Sequence, residues 1–147
     1  MRIIELQPCD ERWPSKYNSE MRALKTILSD VYISSHHIGS TAIKGIMAKP
    51  TIDILIEVSD LAELDKLQED FRRLGYIAKG EHGTKGRRFF YKGEESRTHH
   101  VHAFESGNPE IQRHILFAEF LNRNLVIARD YENLKMKLAN KFRSSPA

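Results

Sequence analysis

Residues 51–58, TIDILIEV, constrain this chain more than any other stretch. A nearly unbroken apolar run of strand length has no polar face to offer water, so it belongs in a strand covered on both sides. Asp53 resists that placement, because an unpaired carboxylate in a buried strand is costly. It must be paired, hydrogen-bonded, metal-bound or held at an exposed strand end. Side chains alternate, so Asp53, Leu55 and Glu57 share one face, with Glu57 about 7 Å beyond Asp53 at strand rise. Two carboxylates on one face suit a hard cation such as Mg²⁺, whose shell is completed by water and substrate phosphates.

Other segments supply partners for this strand. RIIEL, residues 2–6, reads as a short first strand. Pro14 then suits a first helical turn, with Tyr17, Met21, Leu24 and Leu28 following at helical spacing. VYISSHHI, residues 31–38, is β-branched enough for a strand that Gly39 and Ser40 end. Asp60 and Glu63 stand at capping-box spacing before Leu61, Leu64, Leu67, Phe71 and Leu74, and Gly75 stops this predicted helix. YIAKG, RRFFYKG and THHVHAFE read as three strands joined by short turns, which favours antiparallel pairing. Asn108 and Pro109 open a helical end, with patterns over 111–121 and 125–142 split at NRN. The fold class expected is α/β (α+β): a mixed β-sheet flanked by helices, with a helical C-terminal end. At 147 residues, the chain is expected to be a single domain over 1–147.

Charge and cysteine content narrow the setting. The 23 basic and 20 acidic residues leave a net charge of +3. That balance favours a small anionic ligand. With no block of like charge, a nucleic-acid partner is not called for, though it stays open. One cysteine excludes an internal disulfide framework and multi-cysteine metal sites, so a cytoplasmic setting is the default expectation. No run approaches the about 18 apolar residues needed to span a bilayer, so no membrane partner is expected. The N-terminal apolar core is too short for a signal peptide. The composition leaves homo-oligomer formation open.

Two groups of residues carry candidate chemistry. Gly39, Ser40 and Thr41 follow a strand, where backbone N–H groups and a hydroxyl can meet an anion, and glycine lets a phosphate approach the main chain. A helical turn opening at Ser40 would add its free N–H groups, and Lys44 and Lys49 could neutralise phosphate charge. The second group is RTHHVHAFE. On a strand, His100 and His102 share a face, and a His-x-His pair there can bind a transition metal or work as acid and base. If this strand lies beside TIDILIEV, Asp53, His100 and His102 converge on one site. Arg87, Arg88 and Arg97 bracket these strands as planar bidentate phosphate donors.

HIGSTAIKGIMAKPTIDILIEV, GRRFFYKG, RTHHVHAFE and RHILFAEFLNRN, in that order, resemble the GrpB family, over nearly the whole chain. That family is placed in the nucleotidyltransferase superfamily, with a polymerase-β-like fold. The resemblance implies a nucleotidyltransferase-like fold, phosphate contacts from Gly39 and Ser40, and Asp53 as first metal-binding carboxylate. It also implies a second carboxylate at position 55, where this chain has Leu55. Glu57 lies on the same face one pleat away, and HHVHA stands where a third carboxylate would be. A metal set of Asp53, Glu57, His100 and His102 is therefore expected, with Asp53, His100 and His102 also the catalytic candidates. The divalent metal expected is Mg²⁺ or Mn²⁺, with Zn²⁺ or Ni²⁺ as further candidates, since a site of Asp53 with His100 and His102 would be softer and favour Mn²⁺, Zn²⁺ or Ni²⁺ over Mg²⁺. The phosphate-binding candidates are Gly39, Ser40, Thr41, Lys49, Arg87 and Arg88. The implied activity is metal-dependent transfer of a nucleotidyl or phosphoryl group from a nucleoside triphosphate, the partner being a nucleotide or another phosphorylated small molecule. Two alternatives stand beside it: a non-catalytic nucleotide-binding module with a degenerate metal site, and a Zn²⁺- or Mn²⁺-dependent hydrolase built on the histidines.

Overall fold

Five strands, β1 (Tyr32–Ile38), β2 (Ile52–Val58), β3 (Tyr76–Ala78), β4 (Arg87–Lys92) and β5 (His99–Glu105), form one sheet in the order β1-β2-β5-β4-β3. The computed structural model describes residues 6–142. The strand expected at residues 2–6 lies almost wholly outside them; immediately after it, Gln7 pairs with Ala48 in an isolated antiparallel bridge. The sheet is mixed: β2 and β5 run parallel, and every other neighbouring pair is antiparallel. The apolar run thus sits second from the edge, hydrogen-bonded on both sides, as its lack of a polar face requires.

Alternation divides the sheet into two faces. Ile52, Ile54, Ile56 and Val58 point to a core shared with α1 (Trp13–Leu28) and with Leu64 and Phe71 of the next helical segment. Pro14 lies in the first turn of α1, and Asp10 Oδ1 accepts the Arg12 N–H just ahead of it. Leu55 points the other way, into a smaller cluster with Ile38, Phe104 and Ile111. Ile111 belongs to α4 (Pro109–Arg123), which covers the β1–β2 half of that face and leads into α5 (Leu125–Phe142). Among the described residues no helix is long and apolar enough to cross a membrane.

The single helix expected over residues 61–74 is instead two: α2 (Leu61–Asp65) and α3 (Gln68–Arg73). Asp60 caps the first, accepting from the Ala62 N–H at 2.8 Å. Between the two, the Lys66 and Leu67 N–H groups bond three residues back, to Glu63 and Leu64, a tightening to 3₁₀ geometry. The tighter turn carries both Leu64 and Phe71 into full burial. No glycine or proline marks the break, so the residue pattern carried no sign of it.

Candidate functional site

Asp53 faces Ile38 of β1 on one side and His100 of β5 on the other. Its Oδ1 lies 3.3 Å from His100 Nδ1 and 3.2 Å from His102 Nε2. Its Oδ2 lies against Gly39, where a β-carbon would come within 2.6 Å of it. Gly39 also has φ of +73°, so both backbone conformation and space demand glycine. The turn and the aspartate, with twelve residues between Ser40 and Asp53 in sequence, are thus in contact. Burial alone would push the Asp53 carboxyl up, but the two imidazole bonds overcome it and hold it below the usual carboxylate range.

The partners assign the imidazole protons. Arg87 Nη1 lies 3.3 Å from His102 Nδ1, and a guanidinium only donates, so Nδ1 accepts and Nε2 carries the proton given to Asp53. His100 gives its Nδ1 proton to the same oxygen, which leaves Nε2 a buried lone pair with no partner among the described residues. Asp53, His100 and His102 each bring one donor atom within 4.8 Å of the others. Two imidazoles and one carboxylate, with an orphaned ring nitrogen, fit a divalent transition metal better than Mg²⁺. A metal on His102 Nε2 would take the place of its proton and oblige Arg87 to leave Nδ1.

Ser40, Lys49, Thr51, Asp53 and His100 line a cavity of about 90 Å³. Residues 40–42 form the single helical turn expected after Gly39. Thr41 is buried behind that turn, its hydroxyl 2.8 Å from His37 Nε2, so it supports the cavity rather than lining it. Lys44 is exposed and uses its N–H on Asn122 Oδ1. Arg87 reaches the metal set through His102, whereas Arg88, its neighbour, points to the opposite face and grips Asp65 of α2 at 2.8 Å. Period-two alternation forbids both arginines from facing Asp53. Glu57 shares the Asp53 face, but its carboxylate takes the Ser34 and Ser106 hydroxyls, each at 2.8 Å, and stands apart from the three donors.

Three contributors carried no sequence signal for this site. Thr51 lines the small cavity, its hydroxyl held by the Arg97 carbonyl at 3.0 Å. His114 of α4 sets its ring 5.9 Å from that of His102, and burial holds it below the usual imidazole range. Phe89 lies 5.3 Å from both site imidazoles and forms their wall. Thr51 precedes a strand and His114 sits on a remote helix, so only the packing brings them in. Phe89 was legible as an apolar strand residue, not as a neighbour of the histidines.

The family model described as GrpB protein matches residues 3–147. The protein YqkA of Bacillus subtilis is 44% identical over 138 residues, which are 94% of this chain and 40% of YqkA. This chain therefore spans less than half the length of that relative. The glutamate-rich protein GrpB of Alkalihalophilus pseudofirmus is 34% identical, over 90% of this chain and 79% of its own. The crystal structure of the conserved protein GrpB from Enterococcus faecalis superposes with a TM-score of 0.93 at 39% identity, covering 96% of this chain and 86% of that one.

Proposed function

This chain belongs to the GrpB family, and we propose that it binds a nucleotide through one divalent transition metal and transfers its phosphoryl or nucleotidyl group. The observation that carries this reading is the meeting of three metal-type donors, Asp53, His100 and His102, with a phosphate-sized cavity lined by Ser40 and Lys49. A metal there supplies Lewis-acid charge to a phosphoryl oxygen. The chain's own residues do the rest. Gly39 gives a phosphate close access to the backbone, and Lys49, which lines the cavity, adds a cation. In the metal-free state Asp53 orients both imidazoles by accepting from each; with a metal on Nε2 the His102 proton would sit on Nδ1, so that Arg87 gives up its bond there. Arg87 keeps its bonds to the Glu81 and His82 carbonyls and leaves Nη1 able to meet an anion.

The test is Asp53→Ala, assayed with Mn²⁺ and a nucleoside triphosphate. Turnover and metal retention should both be lost, the metal affinity falling at least tenfold, while circular dichroism stays that of the wild type. Metal-dependent turnover persisting in the variant would overturn the reading. Leu55 favours a second one: a fully buried leucine occupies the place of a second carboxylate, which points to nucleotide binding without transfer. Wild-type protein that binds nucleotide and metal yet releases no product would select it.

A further inference from the structure

A second, larger cavity of about 330 Å³ opens on the far side of the Gly39 turn, between α1, the edge strand β1 and α4. Its size falls at the lower end of small-molecule sites. One wall is a stacked ring pair, Tyr17 and His37, with centroids 5.1 Å apart and planes 9° from parallel. The pair is braced rather than loose: Tyr17 donates to the Ser35 hydroxyl at 3.0 Å, and His37 meets Thr41 at 2.8 Å. Ile38 and Ala118, both buried, supply apolar surface. His36 and Glu119, an exposed residue of α4, also line the cavity.

The two cavities share one turn. Ser40 lines the small one and Ala42 the large one. Thr41 between them touches His37 on one side and the carbonyl of Thr51, which lines the small cavity, on the other. Three residues of 3₁₀ helix rise about 6 Å, comparable to the reach of a ribose.

We propose that the large cavity is a base pocket, and that its ligand is a guanine nucleotide whose phosphates lie in the small cavity. This rests on the proposed meeting of nucleotide phosphates with Ser40 and Lys49. Flat apolar surface and braced rings suit a base face, and the carboxylate selects among bases. Glu119 only accepts hydrogen bonds, and guanine presents two adjacent N–H donors, at N1 and the 2-amino group, which a carboxylate takes in bidentate fashion. Adenine and the pyrimidines lack that pair of donors.

The test separates base from phosphate. Guanosine, adenosine and tripolyphosphate with Mn²⁺ are titrated separately into wild type and Glu119→Gln, and amide shifts are followed by NMR. Guanosine should shift β1 and α4 amides in the wild type, adenosine should bind more weakly, and Glu119→Gln should lose about tenfold or more in guanosine affinity. Tripolyphosphate should shift residues 39–41 equally in both proteins. Guanosine that leaves β1 and α4 unmoved, or that binds the variant as well as the wild type, overturns the base pocket even if tripolyphosphate binds. Guanosine binding as stated without tripolyphosphate binding supports the pocket and removes the phosphate reading beneath it.

Discussion

Gly39 shows how one residue can serve both backbone and site. Its positive φ would strain any side chain, and the Asp53 oxygen fills the space a β-carbon would need. Gly39→Ala should therefore destabilise the fold by about 1–3 kcal/mol and also push Asp53 away from its imidazoles. Urea unfolding reads the first effect and metal titration the second; a variant of wild-type stability with unchanged metal affinity would refute the contact. Leu55 is the opposite case. Buried with Ile38, Phe104 and Ile111, it pins α4 to the sheet, so its place beside Asp53 has been given to packing. A carboxylate there would have no partner in that cluster.

Elements decide which residues meet. β5 lies beside β2, so the His-x-His pair and Asp53 converge as the alternation rule requires once that adjacency is given. The same rule parts Arg87 from Arg88. On the helical face, Glu20 of α1 gathers Lys92 of β4 at 2.6 Å, the Tyr76 hydroxyl of β3 and, more loosely, His99 of β5. Burial pushes the Glu20 carboxyl up, but Lys92 and Tyr76 outweigh it and leave it below its ordinary value. A carboxyl depressed in the folded state stabilises above its unfolded value, 4.5, and that stability is lost as pH falls through the folded value. Wild type and Glu20→Gln should accordingly differ most near neutral pH, with the gap closing below about pH 4. Urea midpoints from pH 3 to 7 provide the check, and a gap independent of pH would exclude the linkage.

Across the whole molecule, the helical C-terminal end is tied to the turn that builds the site. Asn122 of α4 accepts the Lys44 N–H at 2.8 Å and donates to the Ala42 carbonyl at 3.0 Å, while Glu132 of α5 accepts the Met47 N–H. The Ser40 hydroxyl lies 3.4 Å from that of Tyr131. Asn122→Ala leaves two backbone groups without these bonds, so it should cost about 1–3 kcal/mol and speed hydrogen exchange at Lys44. Unchanged exchange there would show that the turn holds without α4.

The residue pattern alone pointed to the buried strand, the mixed sheet with flanking helices and the glycine turn, and it named Asp53, His100 and His102 among its candidate metal ligands. Each comes from local rules: apolar period, turn chemistry and the cost of an unpaired carboxylate. That β5 adjoins β2, that Arg88 faces away and that Glu57 is held by serines came from the packed fold alone. It alone placed Thr51, His114 and Phe89 beside the site, and it alone opened a second cavity across the turn. Those outcomes depend on strand order and helix docking, which are set by how the two sheet faces are covered and which leave no mark in the spacing of residues along the chain.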